Sequence, residues 1–337
     1  MNLNVLCNSH HEVYLLNQRT SIKSLITIET NSNILNQTPT LWTDTNYAAL
    51  VKHRINAFEY LCKKIQFMKT LKLASWFLLA AFLLSSCERV FEYTPYSADV
   101  KDDKKFTRQK NLEKLQKIED ETKDLDSFKF ALISDSHTYY NSLAEVVNLI
   151  NQDEEVLFVL HGGDMTDGGM IAEYTIFYEI MGGLDRPYFT VIGNHDCLSN
   201  GRVIYDDQYG PENYSFVFKN CKFIFFNDII WELNYEEPDF QWLGNELKNH
   251  NQYENVFVIA HIPPWSDQFS PLDTWAYKTM MDTTNVSISI HGHHHDHYYG
   301  DFFEDSVRYL VIGAPSKDIF CKLTVEPDTL ILETIKL

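Results

Sequence analysis

From Phe128 onward the chain repeats one device: a short apolar run ends in Asp, Asn or His. The runs are "FKFALISDSH", "EVLFVLHGGDMTD", "RPYFTVIGNHD", "NVFVIAHIPPW" and "VSISIHGHHH". Runs of this length, rich in Val, Ile and Phe, read as strands. "SLAEVVNLINQ" and "MIAEYTIFYEIMGG" lie between the first three and read as helices, the second closed by glycine. Strand-helix alternation builds βαβ units, and ligand-binding groups gather where such strands end. The second half is more mixed. "YSFVFKNCKFIFFND" reads as a hairpin turning at Lys219-Asn220, "DFQWLGNELKNH" as a helix, and "RYLVIGAPS" and "FCKLTVEPDTLILETIKL" as closing strands.

Asp135, His137, Asp164, Asn194, His261, His293 and His295 stand at the ends of the five runs. A lone Asp after a strand is ordinarily a cap or turn residue, and a lone His an ordinary surface or core residue. Five coincidences in one domain outweigh that bland reading. Mixed carboxylate, imidazole and amide donors suit Mn, Fe or Zn better than Ca or a thiolate zinc site.

Five of the seven residues from His291 to His297 are histidine. In extended backbone, residues two apart share a side. His293 and His295 are then expected to face the other donors, with His294 turned away. His291 lies back in the strand and is expected to pack, as is His161.

The remaining sequence is of two kinds. All 13 glycines lie at or after Gly162. Hydrophobic residues make up 45% of the chain, enough for a sizeable core. A net charge of -19 repels a phosphate backbone, so no nucleic-acid partner is expected. Cys221 and Cys321 lie in strand-like runs and read as small buried hydrophobes.

Met68 opens "MKTLKLASWFLLAAFLLSSC". Lys69 and Lys72 precede an apolar run of about 12 residues, too short for a transmembrane helix and suited to a signal peptide. The run ends Leu84-Ser85-Ser86-Cys87, which resembles a bacterial lipobox with Cys87 as the lipidation site. Residues 1–67 are expected to be an upstream extension from an over-long gene prediction. Residues 68–87 then form the lipoprotein signal peptide, 88–127 a charged tether with room for a short helix around Leu112, Leu115 and Ile118, and 128–337 the functional domain. The anchor would hold that domain to the bacterial cell envelope, on the periplasmic or cell-surface side.

"DSH" at 135–137, "GGDMTD" at 162–167, "GNHD" at 193–196, "AH" at 260–261 and "GHHH" at 292–295 resemble, in order, the five blocks of the calcineurin-like metallophosphoesterases. The lipobox makes the chain resemble bacterial lipoprotein members. The resemblance implies an α/β four-layer αββα sandwich of two mixed β-sheets flanked by helices. It also implies two divalent or trivalent metal ions (Mn, Fe or Zn) at the C-terminal ends of the strands. By similarity Asp135, His137 and His295 hold one metal, Asn194, His261 and His293 the other, and Asp164 bridges both. The metals generate a hydroxide that attacks phosphorus.

His195 is the expected catalytic acid, oriented by Asp167, whose bland alternative is a cap for the helix that follows. Asp196 is expected to be structural. Tyr139, Tyr140, Trp231 and Trp265 are candidates for a substrate pocket, with ordinary packing as the alternative. Gly168 follows Asp167 where the family's protein phosphatases carry Arg. Purple acid phosphatases have Tyr at the Asp167 position and lack the His137 equivalent. The pattern is nearer the phosphodiesterase-like branches.

The sequence thus implies an exported, lipid-anchored enzyme for small phosphate esters, preferring diesters. A phosphomonoesterase or nucleotidase of the same fold, and a non-catalytic surface binding lipoprotein, are the alternatives; the charge disfavours a nuclease. Intact-mass spectrometry of native protein should find none of residues 1–67. Peptides from that stretch would overturn the upstream-extension reading.

Overall fold

Burial alternates along the central strands, and the alternation sorts side chains into layers. In β3 (Phe128–Ile133) Phe130 and Leu132 join one core, Ala131 and Ile133 another. In β8 (Asn255–Ala260) Phe257 and Ile259 join the first core, Val256 and Val258 the second. The first core is the seam between two sheets, and the second lies under the helices.

The computed structural model describes residues 3–7, 13–17, 56, 60, 63–70, 75–77 and 94–337. The chain divides into two compact units, Met1–Glu88 and Arg89–Leu337. In the first, β1 (Leu3–Cys7) and β2 (Val13–Asn17) pair antiparallel, and residues 63–70 are helical. Strands this short leave no sustained period in the sequence. No described helix is long and apolar enough to cross a membrane. Cys87 lies outside the described residues.

The second unit holds both sheets. β4 (Val156–His161) pairs parallel with β3 and with β5 (Tyr188–Thr190). β12 (Ile319–Glu326) runs antiparallel beside β3, and β13 (Thr329–Lys336) returns along it after a turn at Pro327-Asp328. The other sheet has six strands, with β7 (Cys221–Phe226), β8, β9 (Val286–His291) and β11 (Arg308–Val311) parallel. β6 (Tyr214–Phe218) and β10 (Tyr298–Gly300) add antiparallel edges. Both sheets are therefore mixed, as expected.

Phenylalanine rings lock the sheets together. Phe130 stacks on Phe158 at 5.1 Å within one sheet, and Phe223 on Phe257 at 5.0 Å within the other. Across the seam Phe130 and Phe158 meet Phe223 edge-on at 5.5 and 5.4 Å, a favoured aromatic geometry.

α1 (Thr107–Glu121) is the helix expected around Leu112, Leu115 and Ile118, but it is longer and packs on the domain instead of only tethering it. Leu115 joins the inter-sheet core, Asn111 donates to the Tyr188 carbonyl at 2.7 Å, and the Arg108 guanidinium stacks over Tyr214. The helix exposes enough charge to read as solvated chain, but its buried stripe covers β5 and β6. α2 (Tyr140–Asn151) and α3 (Ile171–Met181) cover one sheet through Leu143, Val146 and Phe177. α4 (Gly201–Tyr209) packs beside α1 and α3. α5 (Phe240–Leu247) and α6 (Pro271–Asp282) cover the other sheet through Leu243 and Tyr277. The result is the α/β/β/α order expected. Parallel β3, β4 and β5, with parallel β8 and β9, bring five C-terminal strand ends to one end of the seam.

Candidate metal centre

Each expected donor sits in the turn just beyond its strand. Asp135 and His137 follow β3, Asp164 follows β4, Asn194 follows β5, His261 follows β8, and His293 and His295 follow β9. Backbone contacts stitch the turns together. Asp135 N–H donates to the Gly163 carbonyl at 3.0 Å, His137 N–H to the Asp164 carbonyl at 3.1 Å, and Gly292 N–H to the His261 carbonyl at 3.0 Å.

The donors form two groups. Asp135, His137 and His295 make one, and Asp164, His261 and His293 the other. Asn194 Oδ1 lies 3.1 Å from both His261 Nε2 and His293 Nδ1, which places it in the second group. Asp164 Oδ2 lies 3.2 Å from His261 Nε2 and 3.5 Å from His137 Nε2, so this carboxylate stands between the groups.

Five of these residues adopt the left-handed backbone region: Asp135 (φ 53°), His137 (41°), Asp164 (56°), His293 (66°) and His295 (59°). Such conformations cost on the order of 1–3 kcal/mol each and persist where surrounding structure enforces them. They also correct the reasoning about the histidine tract. The backbone from Gly292 to Asp296 is not extended: His294 N–H donates to the Gly292 carbonyl and Asp296 N–H to the His294 carbonyl. Tight turns, rather than strand alternation, send His293 to one group and His295 to the other.

Electrostatics give the cluster its demand. Asp135 and Asp164 are buried, and among the described residues their only ion partners are His137, His261 and His295. Burial pushes the Asp135 carboxyl up to about 6, with the neighbouring Asp164 charge adding to it. Burial acts on Asp164 in the same sense, but His261 and His137 outweigh it and hold that carboxyl below its usual range. Burial disfavours charge on His261 as well, yet Asp164 and Asp135 raise it to about 10. The donor set fits two metal ions, because two buried carboxylates without Lys or Arg need positive charge close by.

The tautomers agree with that fit. His261 Nδ1 donates to the Gly162 carbonyl at 2.7 Å, leaving Nε2 to face Asp164 and Asn194. His137 presents Nε2 to the cluster, while its Nδ1 is buried without a hydrogen-bond partner.

His195 lies beside the groups, its ring 4.6 Å from that of His137. Its Nδ1 donates to the main-chain carbonyl of Asp167 at 2.7 Å, whereas the Asp167 carboxylate is 3.9 Å away. Orientation by Asp167 therefore comes through the backbone. The carboxylate is exposed and stands slightly nearer His137 Nδ1, at 3.6 Å. Burial lowers the His195 pKa, but Asp164 and the Asp167 carbonyl raise it further, for a net upward shift. Asp167 does not cap α3: Glu173 accepts from the N–H groups of Gly168 and Met170, both at 3.0 Å.

The pocket candidates separate. Trp265 packs face to face on Phe302 at 4.1 Å and edge-on against Tyr298, Phe303 and Tyr309. Its faces are engaged in packing, beside a cavity of about 500 Å³ that His294 also lines. Tyr139 and Trp231 are exposed. Tyr140 is partly buried near Glu173 and Asp167; burial and those charges raise its hydroxyl pKa. His161 and His291 are buried and hydrogen-bond Ser136 and Ser289, and His297 reaches Thr334 Oγ1 at 3.2 Å. None of the three joins the donor groups.

Two buried carboxylates hold the turns. Asp196 accepts from the N–H groups of Gly193, Met165 and Thr166, tying the Asn194 turn to the Asp164 turn. Asp228, which sequence reasoning missed, accepts from the N–H groups of His261 and Ile262 at 3.1 Å. Burial raises both carboxyls to about 7. The signal for Asp228 was present: "FIFFND" is another apolar strand ending in Asp.

A family model of calcineurin-like phosphoesterases matches residues 128–297, the segment that supplies every one of these donors. The chain belongs to that family. A 133-residue stretch is 29% identical to a probable glycerophosphodiester phosphodiesterase, GpdQ, of Arcobacter nitrofigilis. That match covers 37% of this chain and 47% of the relative, so the chain spans about half the length of that protein. Among solved structures, the purple acid phosphatase PPD1 of Lupinus luteus superposes with a TM-score of 0.52 at 14% identity, over 62% of this chain and 51% of that one. GAP50, an anchor in the inner membrane complex of Plasmodium, superposes at 0.50 and 15% identity, over 63% and 85%. At these identities the two structures share the calcineurin-like fold with this chain and no more.

Gly193 offers a test of the cradle. A Cβ there would lie 2.2 Å from both the Asp164 amide nitrogen and Asp164 Oδ1. Gly193→Ala must displace the carboxylate that stands between the groups. Its affinity for Mn(II), read by equilibrium dialysis, is expected to fall by at least about tenfold. Unchanged affinity would contradict this placement of Asp164.

Proposed function

We propose that this family member hydrolyses phosphate esters, diesters in preference to monoesters, and acts outside the cytoplasm from a lipid anchor at Cys87. The observation that carries the catalytic part is Asp164 standing between two donor groups with His195 alongside. Asp135, His137 and His295 would hold one cation, Asn194, His261 and His293 a second, and Asp164 both. Two such cations, when bound, supply an activated water and neutralise charge on the phosphoryl oxygens.

The chain's own residues do the rest. The His261 bond to the Gly162 carbonyl fixes its tautomer and aims Nε2 inward. The strained turns hold the donors in place before substrate arrives. His195 uses Nδ1 on the Asp167 carbonyl, so Nε2 is the nitrogen left to deliver a proton to the departing alcohol. The raised His195 pKa favours the protonated form that role needs.

Two observations support diesters. The similar stretch of the Arcobacter protein comes from one described as a probable glycerophosphodiester phosphodiesterase. Among the described residues no Lys or Arg is ion-paired with the cluster carboxylates, so the second negative charge of a monoester meets no such fixed cation. Export and anchoring rest on the sequence from Met68 to Cys87 alone.

Purified protein with Mn(II) should cleave bis(p-nitrophenyl) phosphate faster than p-nitrophenyl phosphate. Hydrolysis of neither, with metal bound, would favour a binding lipoprotein. His195→Ala should lower kcat by about 10²–10⁴ on a dialkyl diester. The loss should be smaller on the nitrophenyl diester, whose leaving group needs little protonation. Equal losses on both would remove His195 from the acid role.

A further inference from the structure

The segment after β7 supplies none of the donors, yet it holds two of them. Asp228 is buried and fixes the backbone of the His261 turn: Oδ1 accepts from His261 N–H and Ile262 N–H, and Oδ2 from Ile262 N–H, all at 3.1 Å. Four residues on, Glu232 Oε1 accepts from Asn194 Nδ2 at 3.0 Å. Glu232 Oε2 is buried without a hydrogen-bond partner among the described residues.

The chemistry of that second contact is selective. The two ends of an asparagine amide have nearly the same shape, but one donates and the other accepts. Glu232 Oε1 is an acceptor, so it pairs with the NH2 end. The oxygen end of Asn194 is then turned toward His261 Nε2 and His293 Nδ1, each 3.1 Å away. A neutral acceptor would make the same bond more weakly, because charge-assisted hydrogen bonds are the stronger kind. Asp135, His137 and His295 receive no hydrogen bond from residues 227–232. The support is confined to one of the two groups.

We infer that Glu232 is a positioning residue that orients Asn194 for the second cation, and that the Asp228–Glu232 segment sets the affinity of that site separately from the first. The inference rests on the two-cation reading above. It predicts a protein whose two sites fill at different metal concentrations, with the difference controlled from a segment that never touches the metal.

The test is equilibrium dialysis of the full chain against Mn(II), fitted to two sites. Electron paramagnetic resonance of the same samples distinguishes a coupled Mn pair from a single ion. Glu232→Ala should weaken the second site by about 10–100-fold and leave the first unchanged, so single-ion spectra persist to higher Mn(II). Glu232→Gln retains a weaker, neutral acceptor and should recover part of that loss. In a cycle with Asn194→Ala, adding E232A to N194A should cost nothing further, since the residue through which Glu232 acts is gone. Both sites falling together in E232A, neither falling, or E232A and N194A losses that simply add would each overturn the inference. The cycle also covers an E232A variant with a lowered melting temperature, because a general loosening would still weaken N194A. Wild-type protein that binds fewer than two Mn(II) would instead overturn the two-cation reading itself.

Discussion

Two carboxylates, Asp135 and Asp164, are buried at the end of a seam between two sheets, with only histidines as ionic partners among the described residues. Burying unpaired negative charge is expensive, and placing two such groups close together raises the cost. The surrounding structure is organised around that constraint. Parallel strands from both sheets deliver the donors to one place, and left-handed turns aim them. Gly193 and Gly292 leave room for the carboxylates, since a Cβ at either would lie within 2.6 Å of an Asp164 or Asp135 oxygen. Asp196 and Asp228 then hold the turns by their N–H groups.

Rigidity behind the site comes from the inter-sheet core. Edge-on phenylalanine contacts cross the seam, and stacked pairs run within each sheet. A donor set drawn from both sheets keeps its geometry only if the sheets do not slide. The aromatic content of the chain thus serves the cluster at a distance. Trp265, one face of which is taken up by Phe302, packs against the helix-side core instead, beside the cavity that His294 also lines.

Much of this was legible in the sequence. Five apolar runs ending in donor residues were visible because strand period and terminal residue type are both local. The layer order followed from the family blocks. Other features were not legible, for identifiable reasons. His293 and His295 fall into separate donor groups through tight turns, because no alternation rule describes two left-handed residues in one turn. The Asp167 carboxylate was expected to orient His195, but a sequence does not show that a carbonyl fills the place. Asp228 and Glu232 act on a backbone N–H and a side-chain amide far away in the chain, and such contacts leave no spacing signature. The packing of α1 on the domain was not legible, because its buried stripe is narrow beside its exposed charge.

Anomalous diffraction from crystals grown with Mn(II) tests the central claim most directly. Two peaks about 3.5–4 Å apart are expected. One should touch Asp135, His137 and His295, the other Asn194, His261 and His293, with Asp164 reaching both. A single peak, or metal held instead by His294 and His297 of the same tract, would contradict it.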